Sequence, residues 1–323
     1  MKRKLNIALI GCGNWGKNIA RNLHQMGTLA CIYDSNTKLL EKLNNEYMLP
    51  NYKLNRIFED QNIKAVVIAS PAITHKNLAI KALNNNKDVF IEKPFCLTLP
   101  DAKILSELAS KNKRVLMVGH LLNYHNAFVK MRELIKNGKI GVIKNIRAHR
   151  LSLGAIRSSE SVIYDLSAHD ISMILSITNE LPYSVSVQSI HHNANTGPDA
   201  ISVKLIFSQG LTALINSDWM CPYKEHKFSV VGTKGALIFD DTKMWSDKLF
   251  YNPSFITSKN SIKKVPLEKI EIVENEPLKN ELKEFMNCIY SRKNPLTDHK
   301  EALKVQTVMD MIDQKLENNK VVL

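Results

Sequence analysis

"YDLSAHD" (164–170) places a carboxylate, Asp165, four residues ahead of an imidazole, His169. On a helix that spacing puts both side chains on one face, and a carboxylate beside an imidazole fixes its tautomer and raises its basicity. The pair suits a general base. Plainer roles compete: Asp165 as a helix N-cap, His169 as a satisfied core histidine, Asp170 as a surface charge. A metal site would need third and fourth ligands at a recognisable spacing, which the sequence lacks, so no metal is expected. "FIEKPF" (90–95) sets Glu92 and Lys93 at the end of an apolar run. Pro94 biases Lys93 away from helical dihedrals and keeps it extended at a strand tip; its plainer reading is a strand-ending salt bridge.

"GCGNWG" (11–16) follows a predicted strand and opens a predicted helix. In that context Gly11 takes the tight turn, Gly13 lets the backbone approach a pyrophosphate, and Gly16 lets helix and strand pack closely. Asn14 and Trp15 lie inside the loop, where free amides and the helix dipole attract phosphates. Asp34 ends the next strand, 23 residues after Gly11. A carboxylate there holds the adenosine ribose hydroxyls and opposes a 2′-phosphate, which favours NAD over NADP. The competing reading is a glycine turn with a chance acid nearby. Ser70 and His75 complete the cofactor candidates with Glu92 and Lys93; His75 is expected to border the nicotinamide rather than to catalyse.

The elements needed to position these residues are legible. "LNIALI" (5–10), "LACIYD" (29–34), "AVVIAS" (65–70), "DVFIE" (88–92) and "VLMVGH" (115–120) are short apolar runs separated by segments of helical periodicity. Such runs mark strands buried on both faces, and their alternation with helices predicts a doubly wound parallel α/β sheet. Ligands of such sheets lie beyond the carboxyl ends of the strands, where Glu92 and Lys93 fall. After about residue 122 the pattern changes. A helix near "AFVKMRELIKNG" ends at Gly138, and extended segments follow: "VIKNIRAHRLSL", "YSVSVQSIHH", "AISVKLIFS", "LTALINSDW", "KFSVVGT" and "GALIFDD". The single helical stretch among them is "YDLSAHDISMILSI", and helices around "PLKNELKEFMNCIY" and "HKEALKVQTVMDMIDQKL" close the chain. This half reads as α+β, an antiparallel sheet with helices on one face. The expected domains are 1–121 and 122–323, with the C-terminal helices able to pack back on the first.

Composition limits the partners. No apolar run approaches the ~18 residues of a membrane span, and the N-terminal "MKRKLNIALIGCG" leads into the glycine turn as a strand rather than as a secretory signal. Five cysteines without a CxxC pair argue against a disulfide framework or zinc site and fit a reducing cytoplasm. The net charge of +13 comes from lysines spread along the chain, without a basic face or reading motif. Nucleic acid is therefore not an expected partner, whereas an anionic small molecule is favoured.

Together and in order, "GCGNWG", "ASPAITHKNLAIKAL", "EKP" and "DLSAHD" resemble the glucose-fructose oxidoreductase/inositol dehydrogenase/MocA (Gfo/Idh/MocA) family over essentially the whole chain. The resemblance implies an N-terminal Rossmann domain and a C-terminal domain with a large, mostly antiparallel open sheet, through which members form homodimers or homotetramers. By motif, Lys93 is the "EKP" lysine, and Asp165 and His169 match the family's Asp and His. "GHLLNYHNAFVKMRELIKNGKIG" (119–141) and "RLSLGAIRSSESVIYDLSAHDISMIL" (150–175) resemble the branch that oxidises UDP-N-acetylglucosamine, or its 6-carboxylate, at C3. Such 3-keto products feed a pathway aminotransferase in lipid A or surface-polysaccharide biosynthesis. Ser152 and Ala168 depart from the branch pattern, which has Asn and Pro there; Ser152 bears on substrate contacts.

The chemistry so implied is hydride transfer from C3 to NAD while a base removes the 3-hydroxyl proton. His169 with Asp165 stands ahead of Lys93 as base; Lys93 then stabilises the oxygen, although a desolvated lysine near a positive nicotinamide can itself be deprotonated. Arg157 is the candidate diphosphate partner, since guanidinium matches phosphate oxygens in a fork. Asn123 and His125 are candidate sugar or phosphate contacts, and a surface position is the plainer reading of all three. A free polyol or sugar dehydrogenase, such as an inositol dehydrogenase, is the alternative enzyme. A non-catalytic NAD(H) sensor is the alternative class, against which Lys93, Asp165 and His169 all speak.

Overall fold

Short apolar runs buried on both faces build the first sheet. In the computed structural model, which describes residues 5–154, 161–191, 197–256 and 262–319, these are β1 (Ile7–Ile10), β2 (Leu29–Tyr33), β3 (Ala65–Ile68), β4 (Asp88–Glu92) and β5 (Leu116–Gly119). They pair in parallel in the order β2-β1-β3-β4-β5. Every residue of β1, β3, β4 and β5 is buried. The order reverses beside β1, which puts a topological switch point where the glycine loop leaves the sheet. The connecting helices are α1 (Gly16–Gln25), α2 (Thr37–Tyr47), α3 (Leu54–Glu59), α4 (His75–Asn84) and α5 (Leu99–Lys111). Asn36 caps α2 by accepting from the Leu39 N–H, and Thr98 caps α5 by accepting from the Asp101 N–H, one satisfied donor at each helix start.

The chain divides into two units: the part up to Leu121 with Glu276–Gln306, and Leu122–Asn275 with the part from Thr307 onward. The second half is thus not one continuous piece from 122 to 323. Helix α8 (Pro277–Ser291) and the start of α9 (His299–Asn319) belong to the first unit. Three contacts orient α8. Glu276, at its N-terminus, accepts from Asn22 of α1 at 2.9 Å. Phe285 meets Phe90 of β4 edge-on at 5.8 Å. Arg292, just past its C-terminus, donates to both oxygens of the buried Asp88 at the start of β4, at 2.8 and 2.9 Å. Helix α8 therefore runs antiparallel to β4.

The second unit holds an eight-stranded sheet. Its strands are β6 (Ile143–Leu153), β7 (Ser184–Ile190), β8 (Ala200–Ile206), β9 (Thr212–Asp218), β10 (Met220–Gly232), β11 (Gly235–Asp240), β12 (Leu249–Asn252) and, after a two-stranded ribbon of β13 (Phe255–Ile256) with β14 (Ile262–Lys263), β15 (Glu268–Lys269). The order is β15-β12-β11-β10-β6-β9-β8-β7. Neighbours are antiparallel except β6 and β9, which pair in parallel. The sheet is packed with α6 (Asn126–Lys136), which touches β11, and with the helical stretch that ends in α7 (Ala168–Thr178). Strand β10 reaches well before the expected "KFSVVGT", because its first half, with Pro222 and exposed Tyr223 and Lys224, lacks an apolar alternation. Among the described residues no helix is long and apolar enough to cross a membrane.

Candidate active site

Steric demand explains the glycines of the first unit. Gly11 has φ +93°, and a Cβ there would lie 2.4 Å from the Ser70 nitrogen; at Gly16 it would lie 2.2 Å from the Gly11 carbonyl oxygen. Only glycine lets strand end, loop and helix approach so closely. At Gly13 a Cβ would meet nothing within 4 Å. That open space faces outward with Asn14 and Trp15, which are exposed, and no side chain caps the start of α1. A helix start with uncapped amides beside an open, glycine-lined approach fits the pyrophosphate of a dinucleotide. Gly13→Val should leave the melting temperature unchanged and weaken NAD binding by ~10–100-fold, the loss of about one charge-assisted contact. Equilibrium titration with NAD, beside a melting curve, checks both halves of that expectation.

Direct contacts join the remaining candidates of this unit in a ring. The Asp34 carboxylate accepts from the Cys12 N–H at 2.6 Å and the Asn36 N–H at 2.8 Å, so it is fixed at the end of β2, where a ribose is held in this fold. Gly11 abuts Ser70. Ser70 is bound through its carbonyl to His75 Nε2 at 2.8 Å, and His75 Nδ1 lies 2.9 Å from the Pro94 carbonyl. The ring of His75 is buried, burial lowers its pKa, and each nitrogen lies against a backbone carbonyl, to one of which the neutral imidazole donates. His75 thus braces Ser70 to the segment after Lys93. Beyond β4, the Lys93 N–H donates to its neighbour Glu92 Oε2 at 3.3 Å. Trp15 Nε1 donates to Glu92 Oε1 at 2.7 Å and closes the ring back to the glycine loop.

In the second unit the helical stretch at 162–178 carries the acid–base candidates. Ile163–Ser167 forms a π-helical turn, which runs into α7 at Ala168. The ordinary α-helical turn expected between Asp165 and His169 is therefore widened, a local departure frequent at functional sites. Ser167 donates to Ser217 of β9 at 2.8 Å and Tyr164 donates to Asp313 of α9 at 2.7 Å, so the turn is pinned on two sides. Asp165 is buried and His169 partly exposed. Asp170 is no surface charge. At 1% exposure it accepts two hydrogen bonds from Arg150 of β6, at 2.7 and 3.1 Å, and Arg150 is itself 7% exposed.

Two substrate candidates turn inward. Asn123 is buried; its side-chain amide donates to Ser172 of α7 at 2.6 Å, and its backbone carbonyl accepts from Arg132 at 3.0 Å. His125 caps α6, with Nδ1 accepting from the Ala127 N–H at 3.1 Å, and stacks on Trp245 at 4.8 Å between centroids. An Nδ1 that accepts must be unprotonated, so Nε2 carries the hydrogen and faces Asp241 at 3.5 Å. Burial pushes this imidazole down to about 4 and keeps it neutral. Both residues are buried and help to build the frame of the unit, which excludes the plainer surface reading. Arg157 lies outside the described residues. Among the described residues no group of three or more His, Cys, Asp or Glu side chains could hold a metal ion.

Arg150 and Glu281 are buried ionisable residues outside the candidates read from the sequence. Arg150 stands in phase with the buried Ile146 and Ala148 of β6, so an inward arginine was readable from the alternation. Glu281 lies in the apolar stripe of α8 with Leu278, Leu282 and Phe285, and is wholly buried.

Known proteins share this architecture. Residues 5–120 match the oxidoreductase family with an NAD-binding Rossmann fold, and residues 128–238 match the GFO/IDH/MocA C-terminal domain. A 2,7-anhydro-N-acetylneuraminate hydratase of Escherichia coli is 27% identical over 255 residues, covering 73% of this chain and 68% of that protein. An NAD(+)-dependent scyllo-inositol 2-dehydrogenase of Bacillus subtilis is 23% identical, covering 92% and 89%. The structure of a UDP-N-acetylglucosamine 3-dehydrogenase from Acidithiobacillus ferrooxidans superposes with a TM-score of 0.84 at 20% identity, covering 97% of each chain, and shares the fold. With a glycine loop built for a dinucleotide on one unit and a large open sheet in the other, the chain belongs to the Gfo/Idh/MocA family of NAD-binding oxidoreductases.

Proposed function

We propose that the protein oxidises the 3-hydroxyl of UDP-N-acetylglucosamine to the 3-keto sugar with NAD. The observation that carries this reading is the run at 150–175, which resembles the UDP-amino-sugar branch and contains Asp165 and His169 beside the Arg150–Asp170 pair. The fold shared with the Acidithiobacillus enzyme over both whole chains supports it.

When bound, NAD supplies the hydride acceptor for C3. His169 takes the proton of the 3-hydroxyl, with Asp165 orienting the imidazole and offsetting the charge it gains. Lys93 hydrogen-bonds the same oxygen and stabilises negative charge as it develops. Arg157 is the proposed partner of the diphosphate. The keto product would be consumed by an aminotransferase. A homodimer or homotetramer in the cytoplasm completes the reading, to which five free cysteines are congenial.

A free polyol is the second reading. It is favoured by the scyllo-inositol dehydrogenase and by a myo-inositol 2-dehydrogenase of Thermotoga maritima, 29% identical over 259 residues. Turnover with NAD on UDP-N-acetylglucosamine, its 6-carboxylate and inositol, with an aminotransferase to draw off keto product, decides among them. The first substrate should be oxidised, with Arg157→Ala raising its KM. Oxidation of inositol alone, with Arg157→Ala silent, would replace the nucleotide-sugar reading by the second.

A further inference from the structure

Glu281 is the least expected charge in the first unit. It is wholly buried on α8, and neither carboxyl oxygen has a hydrogen-bond partner among the described residues. Burying an acid without partners costs stability unless the group stays neutral. Sequence spacing and helix direction identify what it faces. Helix α8 runs antiparallel to β4, with Arg292 at Asp88 and Phe285 on Phe90. Glu281 lies one helical turn before Phe285, about 6 Å along the axis. Glu92 lies two residues after Phe90, about 6.6 Å along the same face of the strand. The two steps run in one direction, so the two carboxyls face each other beneath the end of β4.

Their surroundings differ. Glu92 receives the Trp15 indole N–H at 2.7 Å and the Lys93 N–H at 3.3 Å. The Lys93 ammonium and His120, which pairs with Glu301 at 2.7 Å, also act on it. Gly119 of β5 lies close against this carboxylate: a Cβ there would stand 2.9 Å from Glu92 Oε2 and press on it. Among the described residues, the charge that acts on Glu281 is that of Glu92. Two facing buried carboxyls do not both ionise easily, and the proton belongs on the one without donors. Burial pushes Glu92 up to about 7, and burial together with the Glu92 charge pushes Glu281 well above the usual carboxylate range.

We propose that Glu281 and Glu92 form a carboxylic acid–carboxylate pair whose single charge, on Glu92, holds Trp15 and thereby the loop Gly11–Gly16 in the shape that receives NAD. Glu281 is a positioning residue that acts through Glu92. With both carboxyls protonated the indole loses a charged acceptor. With both ionised the repulsion displaces Glu92 from Trp15. NAD affinity then has two limbs in pH, the acid one belonging to Glu92 and the alkaline one to Glu281. This depends on NAD binding alone and not on which sugar is oxidised.

The test is NAD binding without turnover, by calorimetry from pH 5.5 to 9.5, on the wild type, Glu281→Gln and Glu92→Gln. The wild type should bind best between the limbs, with affinity falling several-fold on each side and protons released on binding along the acid limb. Glu281→Gln, which cannot ionise, should lose only the alkaline limb; Glu92→Gln should lose both. Melting temperatures give a second reading that needs no ligand. An acid whose folded pKa is raised contributes stability that drains away as pH rises from its unfolded to its folded value. The melting temperature of Glu281→Gln minus that of the wild type should therefore grow from pH 5 to pH 9. Three binding profiles of one shape, or a melting difference independent of pH, would overturn the proposal.

Discussion

Lys93→Met and His169→Ala each lower turnover by at least ~100-fold, the scale of a positioned proton-transfer or charge-stabilising group, while NAD still binds. The two losses should differ in kind. An imidazole base must be unprotonated to act, so with NAD saturating, kcat/KM of the wild type for the sugar should fall on the acid side and His169→Ala should lose that limb. Lys93→Met should keep the limb at a lower plateau, because the lysine stabilises an oxygen whose proton another group removes. If instead Lys93→Met erases the limb and His169→Ala keeps it, the roles are exchanged. Near-wild-type turnover in both variants would discard the scheme. Asp165→Asn is the intermediate case: it keeps shape in the pinned π-turn but removes the charge that offsets an imidazolium, so turnover should fall by less than for His169→Ala.

What was legible in the sequence had a local cause. The first sheet could be read because strands buried on both faces are apolar throughout, as in "AVVI" and "DVFI", and because the glycines of "GCGNWG" answer to steric contacts made within a few residues of the loop or at the neighbouring strand end. Helix α2 starts where Asn36 caps it by accepting from the Leu39 N–H, again a local cause. Elements held by tertiary pairing were not. Strand β10 begins in a polar, proline-containing stretch and is extended because β6 pairs with it, with a register shift between Met220 and Glu225. The π-turn at Ile163–Ser167 leaves no mark on periodicity. Among the site residues, Asp34, Trp15 and Glu92 lie within contact of the loop or at strand tips, where position follows from the fold. The surface reading of Asn123 and His125 fails because polar residues past a domain boundary look exposed, whereas here a cap and a buried amide hold α6 and α7. Glu281 was invisible for a related reason: its partner lies 189 residues away in sequence, at Glu92.

Arg150→Met is expected to be the most destabilising single substitution in the second unit. The arginine and Asp170 are both nearly inaccessible and joined by two hydrogen bonds, at 2.7 and 3.1 Å. Removing one partner of a buried pair strands the other charge at a cost of about 3–5 kcal/mol, or a melting temperature lower by roughly 10 °C at the ~2–4 °C per kcal/mol of a chain this size. Replacing both partners by apolar residues avoids that cost, so Arg150→Met with Asp170→Leu should recover most of the lost stability. The recovered protein separates two roles of the pair. Asp170 adjoins His169, and the pair ties α7 to β6, so the imidazole is aimed by a bond between helix and sheet. If that bond only stabilises, the double variant turns over at the wild-type rate. If it also aims His169, the double variant melts near the wild type yet loses kcat with its NAD affinity intact, and this second outcome is the one expected. A rigid two-hydrogen-bond tie between planar groups fixes an angle that apolar packing leaves loose, and proton transfer is sensitive to that angle.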